Sequence, residues 1–379
     1  MAIRAKASSA LQFLLDNSLL LVIGATAGLV WANLDSVSYA MATRHLGFVV
    51  NDVGMVFFFA LMTKEVYEAM LPGGPLASWR EAAVPVFAAV GGMVVPAGLF
   101  AGSAAALGQP DLIRGWAIPC ATDIAFAYLA ARLIFRRGHP AIPFLLLLAI
   151  ADDAMGLAIL AIGYPTRALA PGLLGVGLAV AIGFAWMLRR MGVGNFWWYV
   201  LGPGTISWIA LHEGGLHPAL ALVPIVPAMP HARSTLKKLG SDAEVSLATM
   251  QGFEEWWKVP VQVVLLLFGI VNAGVPLASV GTVTGLVLVS LVVGKPVGIV
   301  VTTALAEWCG FRRPEGLDYR SVLTLGVAAG IGFTVALFFA TAAFPAGDLL
   351  NEAKMGALLS VVAFPMALMV GKAVRRANL

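Results

Sequence analysis

Long apolar runs, broken at intervals by Gly, Pro and short polar clusters, repeat along nearly the whole chain. Read as helices, they predict spans over 11–32, 47–70, 83–107, 116–135, 142–163, 170–189, 196–212, 216–230, 257–273, 281–305, 320–343 and 353–372. Runs of this kind suit a bilayer core, which a helix of roughly 20 apolar residues crosses. Between Phe196 and Met229 the pattern is interrupted at Gly202-Pro203-Gly204 and Gly214-Gly215, so two short helices are expected there rather than one long one. The basic start MAIRAKASSALQF resembles that of a signal peptide. The apolar run behind it carries Asp16 and reaches Trp31 with no cleavage site, so it is read as a retained first span.

The polar positions between the runs set the topology. Seventeen of the 24 Lys and Arg fall on one side: Arg4, Lys6, Arg80, Arg132, Arg136, Arg137, Arg189, Arg190, Arg233, Lys237, Lys238, Arg312, Arg313, Arg320, Lys372, Arg375 and Arg376. The other side holds only Arg44, Arg114, Arg167 and Lys354, while Lys64, Lys258 and Lys295 lie within or against the spans. Cytoplasmic loops collect Lys and Arg, so both termini are expected in the cytoplasm. The longest polar stretch, 231–256, reads as a solvated cytoplasmic connector.

Composition agrees with the pattern. Of 379 residues 60% are apolar and 12% charged, about half the roughly 25% charged share of soluble domains, and the mean hydropathy is +0.90. A soluble globule, a disordered chain and a disulfide scaffold are excluded. The expected fold is an all-α polytopic membrane protein of about twelve helices, forming one transmembrane domain over 1–379 in contact with membrane lipid. A pI near 9.2 does not indicate nucleic acid, because the basic residues sit in short clusters between apolar runs. Cys120 and Cys309 stand alone and read as small packed thiols.

Four charges lie deep in apolar runs: Asp123 in WAIPCATDIAFAY, Asp152 and Asp153 in LLLLAIADDAMGLAIL, and Lys295 in LVVGKPVGIV. A charge near the bilayer centre costs roughly 2.5–3.5 kcal/mol even on the lenient insertion scale and marks an ion or proton pathway by default. Asp152 and Asp153 point about 100° apart on a helix, yet both can border one polar cavity. Two close carboxylates in a poor dielectric do not readily ionise together. A bound cation reverses that balance, so cation and proton compete for the same oxygens. The plainer alternative is a structural pair held by hydrogen bonds. Lys295 is the natural counter-charge, unless it snorkels to the interface.

Asp123 sits beside Thr122 in a segment thinned by Gly115, Ala117 and Ala121 and interrupted by Pro119. A Gly-rich counterpart, VAAGIGFTVALFF, places Gly330, Gly332 and Thr334 mid-run. Taken alone such a stretch is a close-packing surface; paired interruptions in two halves point to a transporter's midplane site. Glu65 and Glu68 share a helix face at i, i+3 and would form an acidic funnel for cations, or an ordinary polar helix end. His217 opens a short helix as a pH-responsive group or a packed histidine. Phe196-Trp197-Trp198-Tyr199 reads as an interface belt.

GWAIPCATDIAFA, LAIADDAMG, VVGKPVGIV, GIGFTVALF, LHPALA and FGIVNAGVPL together resemble the signature stretches of the bacterial NhaA sodium/proton antiporter family, in order and spacing, from Asn51 to the C-terminus. Inverted repeats with broken helices characterise that family. The resemblance implies twelve helices with the fourth and eleventh interrupted and crossed, and inverted repeats over about 83–163 and 281–374. It implies Asp152 and Asp153 as cation and proton carriers, Asp123 and Thr122 at the crossing, and Lys295 paired with the acidic site, through Asp152. Glu65 matches a funnel position and His217 a histidine tied to pH response. The implied reaction is electrogenic exchange of one cytoplasmic Na⁺ or Li⁺ for two periplasmic protons across the inner membrane, with no cofactor and no enzymatic activity.

The chain departs from that family in places. KEVYEAM puts Ala69 where an acid is expected, and MQGFEEWWKV lacks the family's acid and histidine pair. The implied homodimer would lack its β-hairpin, because the connector 33–46 is short. One rival reading is a cation-coupled symporter of a small organic solute on the same scaffold. Another is an intramembrane aspartyl enzyme, disfavoured because adjacent acids on one helix do not converge on a scissile bond.

Overall fold

The computed structural model describes residues 18–230 and 243–377, and among these there are helices and no strands. The elements are α1 (Leu19–Leu34), α2 (Ser36–Met70), α3 (Trp79–Ala106), α4a (Pro110–Cys120) and α4b (Ile124–Ile134). Then follow α5 (Ala141–Gly163), α6 (Pro171–Arg190), α7 (196–214), α8 (Ala243–Ala273) and α9 (Thr282–Trp308). The last are α10a (Tyr319–Ala329), α10b (Phe333–Ala343) and α11 (348–377). Among the described residues seven helices are long and apolar enough to cross a membrane; α4a with α4b and α10a with α10b make two more crossings, bent by 52° and 51° at their breaks. The chain is a multi-pass membrane protein.

Four stretches differ from the sequence expectation. The connector 33–46 is mostly helix: Asp35 accepts the Ser38 N–H at 3.0 Å and starts α2, which runs through a wide π turn at Val49–Gly54 into the expected second span. Gly202-Pro203-Gly204 does not break α7. Pro203 lacks the N–H that would bond back to Tyr199, and the helix absorbs this as a π turn over Val200–Gly204. The 216–230 stretch forms only short 3₁₀ turns, Pro218–Leu220 and Val226–Ala228. The expected connector 231–256 is helical from Ala243 onward, and its first part lies outside the described residues, as do 11–17 of the expected first span.

The chain folds as two compact units. The first holds α1, α3, α4a, α4b, the N-terminal part of α5, α9, α10a, α10b and α11. Its core joins Val84 and Ala88 of α3, Ala127 and Ala131 of α4b, Phe144 and Leu148 of α5, Ile299 of α9, and Val322 and Leu325 of α10a. Small residues bring α3 and α9 together: a Cβ at Gly91 or at Gly298 would collide with the other's carbonyl. Close backbone approach is the usual device of helix packing in membranes, where apolar burial against lipid gives little drive.

The second unit holds most of α2, the end of α5, α6, α7 and most of α8. Gly177 of α6 packs on Ala210 of α7, Trp208 donates to the Asp52 carbonyl at 2.8 Å, and Phe57 stacks on Trp257. The expected interface belt is only partly that. Trp198 is 63% exposed, whereas Tyr199 is fully buried with its hydroxyl on the Val193 carbonyl.

Candidate functional site

The breaks in α4 and α10 leave backbone groups that no helix satisfies, and four buried side chains of the first unit, Thr122, Asp123, Lys295 and Ser360, bond to them. Asp123 occupies the cap position of α4b. Its backbone N–H donates to the Ile331 carbonyl at 2.7 Å, and its Oδ2 accepts from both the Thr334 hydroxyl and the Thr334 N–H, the latter at 3.3 Å. A carboxylate at a helix N-terminus meets unpaired N–H groups and the positive end of the helix dipole. Here the carboxylate reaches from the cap position of α4b to bond the start of α10b. Thr122 donates to the Ala329 carbonyl at 3.1 Å, at the end of α10a. Gly330 is required by crowding, since a Cβ there would lie 2.7 Å from the Leu291 carbonyl.

Lys295 is fully buried and does not snorkel. Pro296 has no N–H to return to Val292, so α9 widens into a π turn over Ser290–Gly294 immediately before the lysine. Lys295 Nζ donates to Asp152 Oδ2 at 3.0 Å and to the Cys120 carbonyl, the free end of α4a. One ammonium thus answers a carboxylate and the negative end of a half-helix. Asp152 Oδ1 is buried and accepts no hydrogen bond from the described residues, and Asp153, next along α5, is 8% exposed. A carboxylate oxygen left this way is costly unless a proton or cation takes it. Among the described residues no group of three or more His, Cys, Asp or Glu gathers as a metal cluster.

The remaining candidates lie in the second unit. His217 is buried, and its Nδ1 accepts the Ala219 N–H at 3.3 Å, capping the 3₁₀ turn that follows. Glu68 shares Lys64 with Glu254 of α8: the lysine pairs with Glu68 at 2.8 Å and also with Glu254. Glu65 lies within electrostatic range of the same lysine. Sequence reasoning missed three partners. The Cys120 carbonyl carries no side-chain signal; Glu254 is 190 residues from Lys64; and Ser360, whose Oγ accepts the Gly332 N–H at 3.2 Å, is a single serine in an apolar run.

Comparison with known proteins bears on the whole chain. Residues 10–371 match the family model described as Na+/H+ antiporter 1. The chain is 44% identical over 375 residues to a Na(+)/H(+) antiporter NhaA 2 of Pelobacter propionicus, covering 96% of this chain and 98% of the relative. It is 44% identical over 370 residues to the NhaA of Desulfitobacterium hafniense, covering 96% and 95%. A solved sodium proton antiporter of Methanocaldococcus jannaschii shares the fold at a TM-score of 0.54 and 14% identity, over 94% of this chain and 91% of that one. The chain belongs to the Na+/H+ antiporter 1 family.

Proposed function

We propose that the protein is a secondary active antiporter of the bacterial inner membrane, with both termini cytoplasmic, exporting Na⁺ or Li⁺ in exchange for protons. Asp152 and Asp153 carry the cation and the protons in turn. The observation that supports this best is the split role of the Asp152 carboxylate: Oδ2 pairs with buried Lys295, while Oδ1, next to Asp153, takes no hydrogen bond from the described residues.

In the proton-loaded form the acids are neutralised by protons, and the buried lysine holds its partner. A cation entering beside Asp153 makes both carboxylates tolerable as anions, and the protons leave. Two protons exchanged for one monovalent cation would move net charge, so the exchange is electrogenic. Asp123 and Lys295 balance the half-helix ends, which lets the breaks persist at membrane depth. The two inverted repeats over about 83–163 and 281–374 would supply the moving frame. The symport alternative draws no support from relatives named as Na+/H+ antiporters.

The test uses proteoliposomes holding an outward proton gradient and a pH dye, given NaCl, LiCl, KCl or choline chloride. Dye recovery with Na⁺ or Li⁺ alone, lost in Asp153→Asn, is expected. Recovery with none of the salts, from folded protein, would overturn the reading.

A further inference from the structure

The break between α10a and α10b exposes the N–H of Gly332, which precedes α10b and has no partner along its own helix. Ser360 of α11 meets it: the serine hydroxyl donates to the Ala357 carbonyl at 2.6 Å and accepts the Gly332 N–H at 3.2 Å. Ser360 is completely buried, and α11 tightens there from α to 3₁₀ over Ser360–Val362 before resuming at Ala363. Because its one hydroxyl proton is committed to Ala357, its lone pairs are turned to Gly332. Two residues further on, Thr334 donates twice to Asp123. A hydrogen-bonded chain therefore runs from α11 through Ser360 and Gly332 to the start of α10b and on to Asp123 in the α4 break. Space at Gly332 itself is tight: a Cβ there would lie 3.0 Å from the Ala336 Cβ and 3.3 Å from the Ala121 carbonyl.

We propose that Ser360 is a positioning residue for the ion site: it anchors the start of α10b to α11 so that Thr334 is held against Asp123. The proposal rests on the antiport reading above and adds to it a helix outside the two crossed breaks. Without the hydroxyl, the Gly332 N–H is a buried donor seeking another acceptor, and the nearest consequence is a loosened Thr334.

Wild type, Ser360→Ala, Ser360→Thr, Thr334→Ala and the double variant Ser360→Ala/Thr334→Ala are reconstituted, and Na⁺-driven proton movement is measured across neutral to alkaline pH. Ser360→Ala is expected to raise the apparent KM for Na⁺ about three- to tenfold, the usual scale for one lost buried hydrogen bond, with maximal rate kept within about twofold. Ser360→Thr, which keeps the hydroxyl, should restore most of the KM. In the Thr334→Ala background Ser360→Ala should add little, because both act through one contact. Equal KM in Ser360→Ala and wild type, or fully additive effects in the double variant, would overturn the proposal. Should Ser360→Thr fail to fold, the double-variant comparison decides alone. Absence of exchange in wild type would instead strike the antiport reading, so the two failures are distinguishable.

Discussion

Lys295 Nζ stands 3.0 Å from Asp152 Oδ2, with the two side chains 0% and 1% exposed. A buried ion pair is weak evidence of net stability, but removing one partner leaves an uncompensated charge and costs about 3–5 kcal/mol. Lys295→Ala is therefore expected to lower the detergent melting temperature sharply. Lys295→Met combined with Asp152→Asn should recover much of the loss, since no charge is then stranded. An unchanged melting profile in Lys295→Ala would contradict the pairing.

Thr334 supplies Asp123 with a hydroxyl and a backbone donor. Thr334→Val keeps shape and removes the hydroxyl, so a loss of about 1–3 kcal/mol is expected, the cost of stranding a buried acceptor. Thr334→Ser should stay within about 1 kcal/mol of wild type. Chemical or thermal unfolding of the three proteins checks the order, and equal stability of Val and Ser variants would contradict it.

The chemistry of the site is legible in the sequence because charge in an apolar run is expensive wherever the chain goes. Asp123, Asp152, Asp153 and Lys295 are visible on that ground alone, and the two breaks show as Pro119 and Gly330-Ile331-Gly332. What stays hidden depends on neighbours far along the chain. Nothing in VVGKPVGIV says that the lysine also takes the Cys120 carbonyl, and nothing around Glu68 says that Lys64 is shared with Glu254. The polar stretch after Asp35 reads as a connector, yet its backbone continues as helix through a π turn, and hydropathy alone cannot see that.

Lys64 is almost buried and holds two carboxylates that are themselves partly exposed. Lys64→Gln removes the cation they share and leaves Glu65, Glu68 and Glu254 as a net negative patch. As a cation funnel, that patch predicts an apparent KM for Na⁺ that falls about two- to threefold at low ionic strength and returns toward wild type when choline chloride raises the ionic strength, because exposed charges are screened. A KM that rises, or that ignores choline chloride, would favour the ordinary polar helix end over a funnel.

Asp318 caps α10a by accepting the Ser321 N–H at 2.8 Å. Burial pushes its carboxyl upward, but the hydrogen bonds from Ser321 outweigh this and hold it below the ordinary 3.8. A lowered value means the cap is at full strength above the ordinary carboxylate range and fades as pH falls through the folded value. Asp318→Ala should cost about 1 kcal/mol at neutral pH, and the gap from wild type should close at strongly acid pH. A gap that is constant down to acid would contradict the cap's ionisation.

The competition of cation and proton for Asp152 and Asp153 is tested most directly by the apparent KM for Na⁺ as a function of pH in proteoliposomes. Competition predicts a KM that rises about tenfold or more for each pH unit on the acid side, by proton linkage, with maximal rate unchanged. Asp153→Asn should abolish exchange. A KM that is flat with pH while maximal rate alone varies, or wild-type exchange by Asp153→Asn, would contradict the account.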